Sequence, residues 1–222
     1  MSKNRLLVLF AAAALPVLGG TITVDATASG RYFDTNSFDT GYGTGWHSGI
    51  PAEARSFFGF NLSGVSGTIT GATLHLQTSA VVASFLSPTG TETFGLFDVS
   101  ATLASLAAGT AFASFGDLGS GTSYGSLVVN SAPGTFVDII LNANGIAYLN
   151  GLAGGTAVLG GALTTLAKGA APNNEILFNG SSSTMVRQLV LDTTPDSGVP
   201  EPATWVFIAS GLALGGLVRR RK

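Results

Sequence analysis

The chain has 222 residues, including 10 Lys and Arg, 12 Asp and Glu, 31 glycines and no cysteine. This length suits one domain large enough to bury a core, and without disulfides that burial must stabilise it. Between residues 21 and 198, four basic residues stand against eleven acidic ones, a net charge of −7. Such a surface argues against nucleic acid and anionic lipid as partners. The many glycines favour a turn-rich β protein over a helical one.

The first 20 residues have the pattern of a secretory signal peptide. Lys3 and Arg5 precede the apolar stretch 6–15, which is too short to span a bilayer. We expect signal peptidase to cut after Gly19 or Gly20, following passage through the secretion translocon. The alternative is a retained N-terminal anchor.

Residues 21–27 alternate threonine with apolar residues and predict the first strand. The next stretch, 29–53, has little periodicity and is rich in glycine, threonine and aromatic residues. Its aromatic residues are Tyr32, Phe33, Phe38, Tyr42 and Trp46. Two roles stay open for them: stacking on carbohydrate, or packing at the end of a sheet, which is the favoured interpretation.

The strongest β pattern lies in the predicted strands 55–62 and 68–78. Their inward side chains are Phe58, Phe60 and Leu62 in the first, and Ala72, Leu74 and Leu76 in the second. Thr73, His75 and Gln77 are predicted to face outward, with His75 exposed to solvent.

These two segments resemble the start of the DNRLRE-type and carbohydrate-binding-module-like β-sandwiches of secreted bacterial proteins. Those domains carry an Arg-x-apolar-apolar-x-Phe-Asp-Leu strand and then an Ala-Thr-Leu-x-Leu strand. Here the segments are Arg55-Ser-Phe-Phe-Gly-Phe-Asn-Leu and Ala72-Thr-Leu-His-Leu, with Asn61 in place of the usual Asp. The resemblance covers only this part of the chain and implies a fold more than a function.

Shorter elements follow. The predicted strands are 92–99, 126–130, 135–141, 156–159, 175–178 and 187–191, and the predicted helices are 101–108, capped by Ser100, and 142–150. Eight or nine short strands separated by glycine, asparagine, serine and proline turns predict an all-β, antiparallel sandwich or jelly roll. We place this domain at 21–192, with one or two short helices, and a linker at 193–199.

The last residues have the order of a membrane-processing signal. Pro200, Glu201 and Pro202 precede the apolar run 203–218, and the tail Arg219, Arg220, Arg221 and Lys222 ends the chain. Sixteen apolar residues make a transmembrane helix of about 24 Å, short for a hydrocarbon core of about 30 Å. The basic tail places the C-terminus in the cytoplasm and everything before Pro200 outside.

This tail resembles the PEP-CTERM sorting signal of Gram-negative bacteria. In that family an exosortase, an integral-membrane cysteine transpeptidase, is thought to cut near the Pro-Glu-Pro element, and the proteins are associated with exopolysaccharide and biofilm. The resemblance implies that this protein is an exosortase substrate with the processing motif Pro200, Glu201 and Pro202. An ordinary C-terminal membrane anchor is the alternative.

Residues that could carry chemistry are few. His47 and His75 have no zinc-ligand spacing, and no Gly-x-Ser-x-Gly motif is present. Glu53, Glu92 and Glu175 are the glutamates of the predicted domain, and their spacing does not suggest the carboxylate pair of a glycosidase. The acidic stretch 34–39 has ligands suited to calcium, although solvated turn residues explain it better. We therefore expect no metal and no cofactor.

The sequence predicts an exported, non-enzymatic protein of the cell surface or extracellular matrix. A structural, adhesive or glycan-binding role, with exopolysaccharide as the partner, fits the sorting signal. The alternative is a secreted hydrolase or lyase acting on polysaccharide. A structural protein retained in the membrane by the tail is a third class.

Overall fold

The computed structural model describes residues 19–79, 85–130, 135–152, 154–167 and 174–194. The strands are β1 (Gly20–Phe33), β2 (Ser37–Asp39), β3 (Thr44–His47), β4 (Ala52–Asn61), β5 (Thr68–Gln77), β6 (Phe85–Leu86), β7 (Glu92–Phe97), β8 (Ser123–Val129), β9 (Phe136–Ile140), β10 (Thr156–Leu163), β11 (Glu175–Leu177) and β12 (Arg187–Thr194). The helices are α1 (Leu103–Ala107) and α2 (Ala143–Gly151), with 3-10 turns at Phe112–Phe115 and Asp117–Gly119. The prediction of an antiparallel β protein with a few short helices is confirmed.

The strands form one curled sheet, and β1 connects its two halves. The first half of β1 pairs with β12, and the second half, after an irregularity between Ala26 and Ala28, pairs with β4. From β12 the sheet continues through β5 to β9, and from β4 through β10 and β7 to β8. A bridge between Gly125 and Leu141 joins β8 to the residue after β9, so the sheet curls back onto itself.

A side branch leaves β4 at its start. Here β3 pairs with β4, β11 with β3 and β6 with β11, while β2 pairs with the end of β1. This branch brings Glu175, late in the chain, opposite Trp46.

Apolar burial occurs on both sides of β4. Phe58 and Phe60 point into the large core inside the curl, where they meet Leu74, Leu189 and other inward residues. Phe57, one residue along, points the opposite way, into a second cluster with Tyr32, Leu106, Leu118 and Val158. A strand buried on both faces loses the alternation by which a half-exposed strand is found in a sequence.

Both helices begin at side-chain caps, and the single cap that was predicted, Ser100, is wrong. Asn142 accepts hydrogen bonds from the backbone N–H groups of Asn144 and Gly145 at the start of α2. At α1 the cap is Thr102, not Ser100. Ser100 instead donates its backbone N–H and its hydroxyl to Asp117, at 2.8 and 2.9 Å.

The stretch 29–53, which lacked periodicity in the sequence, is not a long loop. It contains the second half of β1, all of β2 and β3, and the start of β4. At the other end, β12 continues to Thr194, two residues into the predicted linker. Within the described ranges, no helix is long and apolar enough to span a membrane.

Candidate functional site

The predicted sorting residues lie outside the described residues. These are Pro200, Glu201 and Pro202 and the basic residues Arg219, Arg220, Arg221 and Lys222. The predicted transmembrane helix 203–218 and residues 1–18 of the predicted signal peptide also lie outside them. The described part of the chain therefore bears on the predicted β domain and not on the sorting residues.

The aromatic residues of the stretch 29–53 mostly pack inside the protein. Tyr32 and Tyr42 have no exposed surface and Phe33 is buried. The Tyr32 hydroxyl donates to the Leu106 carbonyl at 2.8 Å, which ties β1 to the end of α1. Of the two roles left open by the sequence, packing is the one that the structure supports for these three residues.

The acidic stretch 34–39 binds the protein's own donors. Asp39 pairs with Arg31 (Nη2 to Oδ2, 2.6 Å), and Asp34 Oδ1 accepts the backbone N–H of Glu53 at 3.1 Å. Arg31 also lies 3.5 Å from His47, Nη1 to Nε2. Burial first, and the Arg31 charge second, lower the pKa of His47 from 6.5 to about 4, so this imidazole is neutral near pH 7. Across the described residues, no three His, Cys, Asp or Glu side chains are grouped to hold a metal ion.

Two glutamates that looked unrelated in the sequence are close enough to interact. Glu92 is fully buried and accepts hydrogen bonds from the hydroxyls of Ser87 and Thr165, both at 2.6 Å. Glu175 is also buried and accepts the backbone N–H of Ala167 at 3.0 Å. Burial chiefly, and also the negative charge of Glu92, raise the pKa of Glu175.

This pair does not have the surroundings of a glycosidase site. Acid–base attack on a glycosidic bond needs both carboxyl groups in a cleft that the substrate can enter. Glu92 and Glu175 are 0 and 2 % exposed, and their oxygens bind the hydroxyls and N–H that surround them. The third glutamate, Glu53, is 2 % exposed and forms an ion pair with Arg55 at 2.6 Å.

One depression in the described fold has a wall that is about half polar and half apolar. It has a volume of about 680 Å³ and lies between the turn after β4 and the end of α2. Its amide-bearing residue, Asn150, already bonds both the N–H and the C=O of Ile69 at 2.9 Å. No charged side chain lines it, so it has little with which to orient a polar ligand.

A more regular surface lies on the outside of β1, β12, β5 and β9; we call it the four-strand face. Inward residues of these strands enter the core, so every second residue faces outward. The outward residues are Thr21, Thr23 and Asp25 on β1, Gln188, Val190 and Asp192 on β12, Thr73, His75 and Gln77 on β5, and Phe136, Asp138 and Ile140 on β9. The predicted outward set on β5 is confirmed.

His75 on this face is paired rather than simply exposed. Its Nδ1 lies 2.6 Å from Asp138 Oδ1, and its ring stacks on Phe136 with centroids 4.7 Å apart. The side chain keeps 27 % of its surface exposed, and that of Asp138 keeps 63 %. The prediction that His75 lies on the polar face is right, but its freedom in solvent is limited by these two contacts.

Comparison of the chain with models of known protein families gives no match. Comparison with curated proteins gives none either.

Proposed function

We propose that this protein is an exported, non-enzymatic component of a Gram-negative cell surface or extracellular matrix, sorted by an exosortase. The order of Pro200, Glu201 and Pro202, the apolar run 203–218 and the basic end carries this proposal. In this proposal the protein is anchored transiently in the inner membrane, and its role outside is structural, adhesive or glycan-binding. The domain would be a β-sandwich or jelly roll, which is a finer assignment than a curled antiparallel sheet.

The positions of the first and last strands are compatible with the proposal. β1 begins at Gly20, next to the expected signal-peptidase cut, and β12 ends at Thr194, six residues before Pro200. A cut at either end would therefore spare the strands. Gly20 and Thr193 are cross-strand partners, so both processing signals join the domain at the same end of the sheet.

The buried glutamates support a non-enzymatic role. Glu53, Glu92 and Glu175 are each no more than 2 % exposed. Carboxylates so enclosed bond to the protein's own groups and are not reached by a polysaccharide from solvent.

The direct test is the intact mass of the protein purified from an exosortase-containing Gram-negative host and from the same host without the enzyme. We expect a C-terminus near Pro200 in the first host and at Lys222 in the second. The double variant Pro200→Ala/Pro202→Ala should stay uncut, whereas Pro195→Ala, a matched change in the preceding linker, should be cut normally. A chain that ends at Lys222 in the exosortase-containing host would contradict the proposal.

A further inference from the structure

The four-strand face has an ordered arrangement of side chains across the strands. Cross-strand pairing places Thr23 beside Val190, Val190 beside Thr73, and Thr73 beside Ile140. This row is β-branched on every strand and crosses the whole face. A row of β-branched side chains gives a stiff surface, because each side chain has few rotamers.

The next row is polar. It runs from Asp25 to Gln188, His75 and Asp138, again one residue from each strand. Gln188 Nε2 donates to Asp25 Oδ1 at 2.9 Å, and His75 Nδ1 lies 2.6 Å from Asp138 Oδ1. Each of these contacts uses one oxygen of the carboxylate, and the partners hold the side chains in place before any ligand arrives.

Both rows are open to solvent on the outer strands. Ile140, in the β-branched row, is 73 % exposed, and the side chain of Asp138, in the polar row, is 63 % exposed. Phe136, which is on β9 but in neither row, is 44 % exposed. Adjacent strands repeat about every 4.8 Å, so each row offers a contact at regular steps across the sheet. The face therefore presents a β-branched row, in which Val190 and Ile140 are apolar, beside a row of hydrogen-bonding groups.

The negative charge of the four-strand face argues against an anionic partner. Asp25, Asp138 and Asp192 lie on the face, with His75 the one titratable base among its twelve outward residues. An anionic polymer would meet these carboxylates within a domain of net charge −7. A neutral polymer that has both C–H faces and hydroxyl groups matches the two rows.

We propose that the four-strand face binds a neutral, extended polysaccharide lying across β1, β12, β5 and β9. Sugar C–H faces would contact the Thr23–Val190–Thr73–Ile140 row, and sugar hydroxyls would exchange hydrogen bonds with the Asp25–Gln188–His75–Asp138 row. Phe136 adds an aromatic surface at one end. This inference rests on the proposed surface or matrix role and gives that role a site and a ligand class.

The test is affinity electrophoresis of the full chain in detergent micelles, through native gels that contain hydroxyethylcellulose, a neutral glucan, or alginate, an anionic polysaccharide. We expect the neutral glucan to retard the protein and alginate not to do so. The double variant His75→Ala/Gln188→Ala should bind the glucan about tenfold more weakly, as the loss of two hydrogen bonds implies. Ile50→Ala, an exposed apolar change in the turn after β3, is the matched control and should bind like the wild type.

Thermal unfolding separates loss of binding from loss of folding. A double variant with its midpoint within about 2 °C of the wild type gives a valid comparison, since surface changes cost little. If the double variant is unfolded, Thr73→Arg is tested in its place. This change puts a bulky cation at the centre of the β-branched row and should abolish retardation.

Three results would overturn the inference: equal retardation of the wild type and a folded variant, retardation by alginate alone, or no retardation by either polymer. Concentration-dependent dimers that Ile140→Asp abolishes, without any glucan effect, would assign the face to self-association instead. The cut near Pro200 is measured independently by mass. A missing glucan effect in a correctly cut protein would thus reject the site alone, and an uncut chain would reject the sorting proposal alone.

Discussion

The backbone of Gly45 lies against that of Glu175, so a Cβ added to Gly45 would overlap the Glu175 carbonyl oxygen. The φ of Gly45 is +123°, a backbone conformation that side chains other than glycine rarely adopt. This contact fixes the spacing of β3 and β11, and thereby the position of the buried Glu175.

We expect Gly45→Ala to lower the free energy of unfolding by at least about 1–3 kcal/mol, from backbone strain together with the overlap. Chemical denaturation of the full chain measures the change. Gly49→Ala is the control, because no atom lies within 4 Å of a Cβ at that position. Equal stabilities of the two variants would show that β3 and β11 are not held this closely.

Leu191→Ala should destabilise the protein by about 2–5 kcal/mol, because Leu191 is fully buried in the core on β12. Its neighbour Val190 faces outward, so Val190→Ala should cost about 1 kcal/mol or less. Denaturant midpoints of the two variants compare the faces directly. A larger effect at Val190 would mean that the inside and outside of the strand are reversed.

The pKa of His47, about 4 in the folded protein against an ordinary 6.5, predicts a loss of stability in acid. The unfolded chain takes up the proton first, so the stabilising contribution is complete above pH 6.5 and is lost as the pH falls to about 4. His47→Gln, which stays neutral, should lose less of its thermal midpoint between pH 7 and pH 4.5 than the wild type. Carboxylates titrate in both proteins and cancel in this comparison. Identical losses would contradict the burial of His47 beside Arg31.

The raised pKa of Glu175 predicts a pH dependence of stability that is opposite in sign to that of His47. Burial is the chief reason that the pKa of Glu175 is raised above 4.5. The contribution of Glu175 to the free energy of unfolding is therefore complete below pH 4.5 and is lost as the pH rises through the folded pKa. Glu175→Gln should therefore have a higher thermal midpoint than the wild type at pH 8 and no advantage at pH 4. Asp192→Asn, which removes an exposed carboxylate, controls for the change in net charge. A lower midpoint for Glu175→Gln at pH 8 would show that the carboxylate is stabilising.

The sequence predicted strands and their inward faces correctly where one face of the strand is exposed to solvent. Leu74 and Leu76 in β5 alternate with partly exposed residues, and Val137 and Ile139 in β9 alternate with exposed ones. Both strands were predicted with the right inward face. In β4, apolar residues face both ways, so alternation found only the Phe58 and Phe60 side. The cap of α1 was misplaced because Ser100 binds Asp117, a partner seventeen residues away that local pattern does not show.

The four-strand face could not be predicted from the sequence, for a related reason. Alternation identifies Asp25, His75 and Asp138 as outward residues within their own strands. Their alignment in one row depends on the register of strands that are up to 163 residues apart in the chain, as in the hydrogen bond from Gln188 to Asp25. No local feature of the sequence encodes that register.

The pairing of Gly20 with Thr193 also sets the order in which this domain can be completed. Synthesis from the N-terminus makes β1 first and β12 last. The first half of β1 therefore cannot pair until nearly the whole domain has been synthesised. Bringing together ends so distant in sequence is entropically costly and slow. During that interval Ile22 and Val24 have no β12 to cover them, and the newly made domain is most exposed to proteases and holding chaperones.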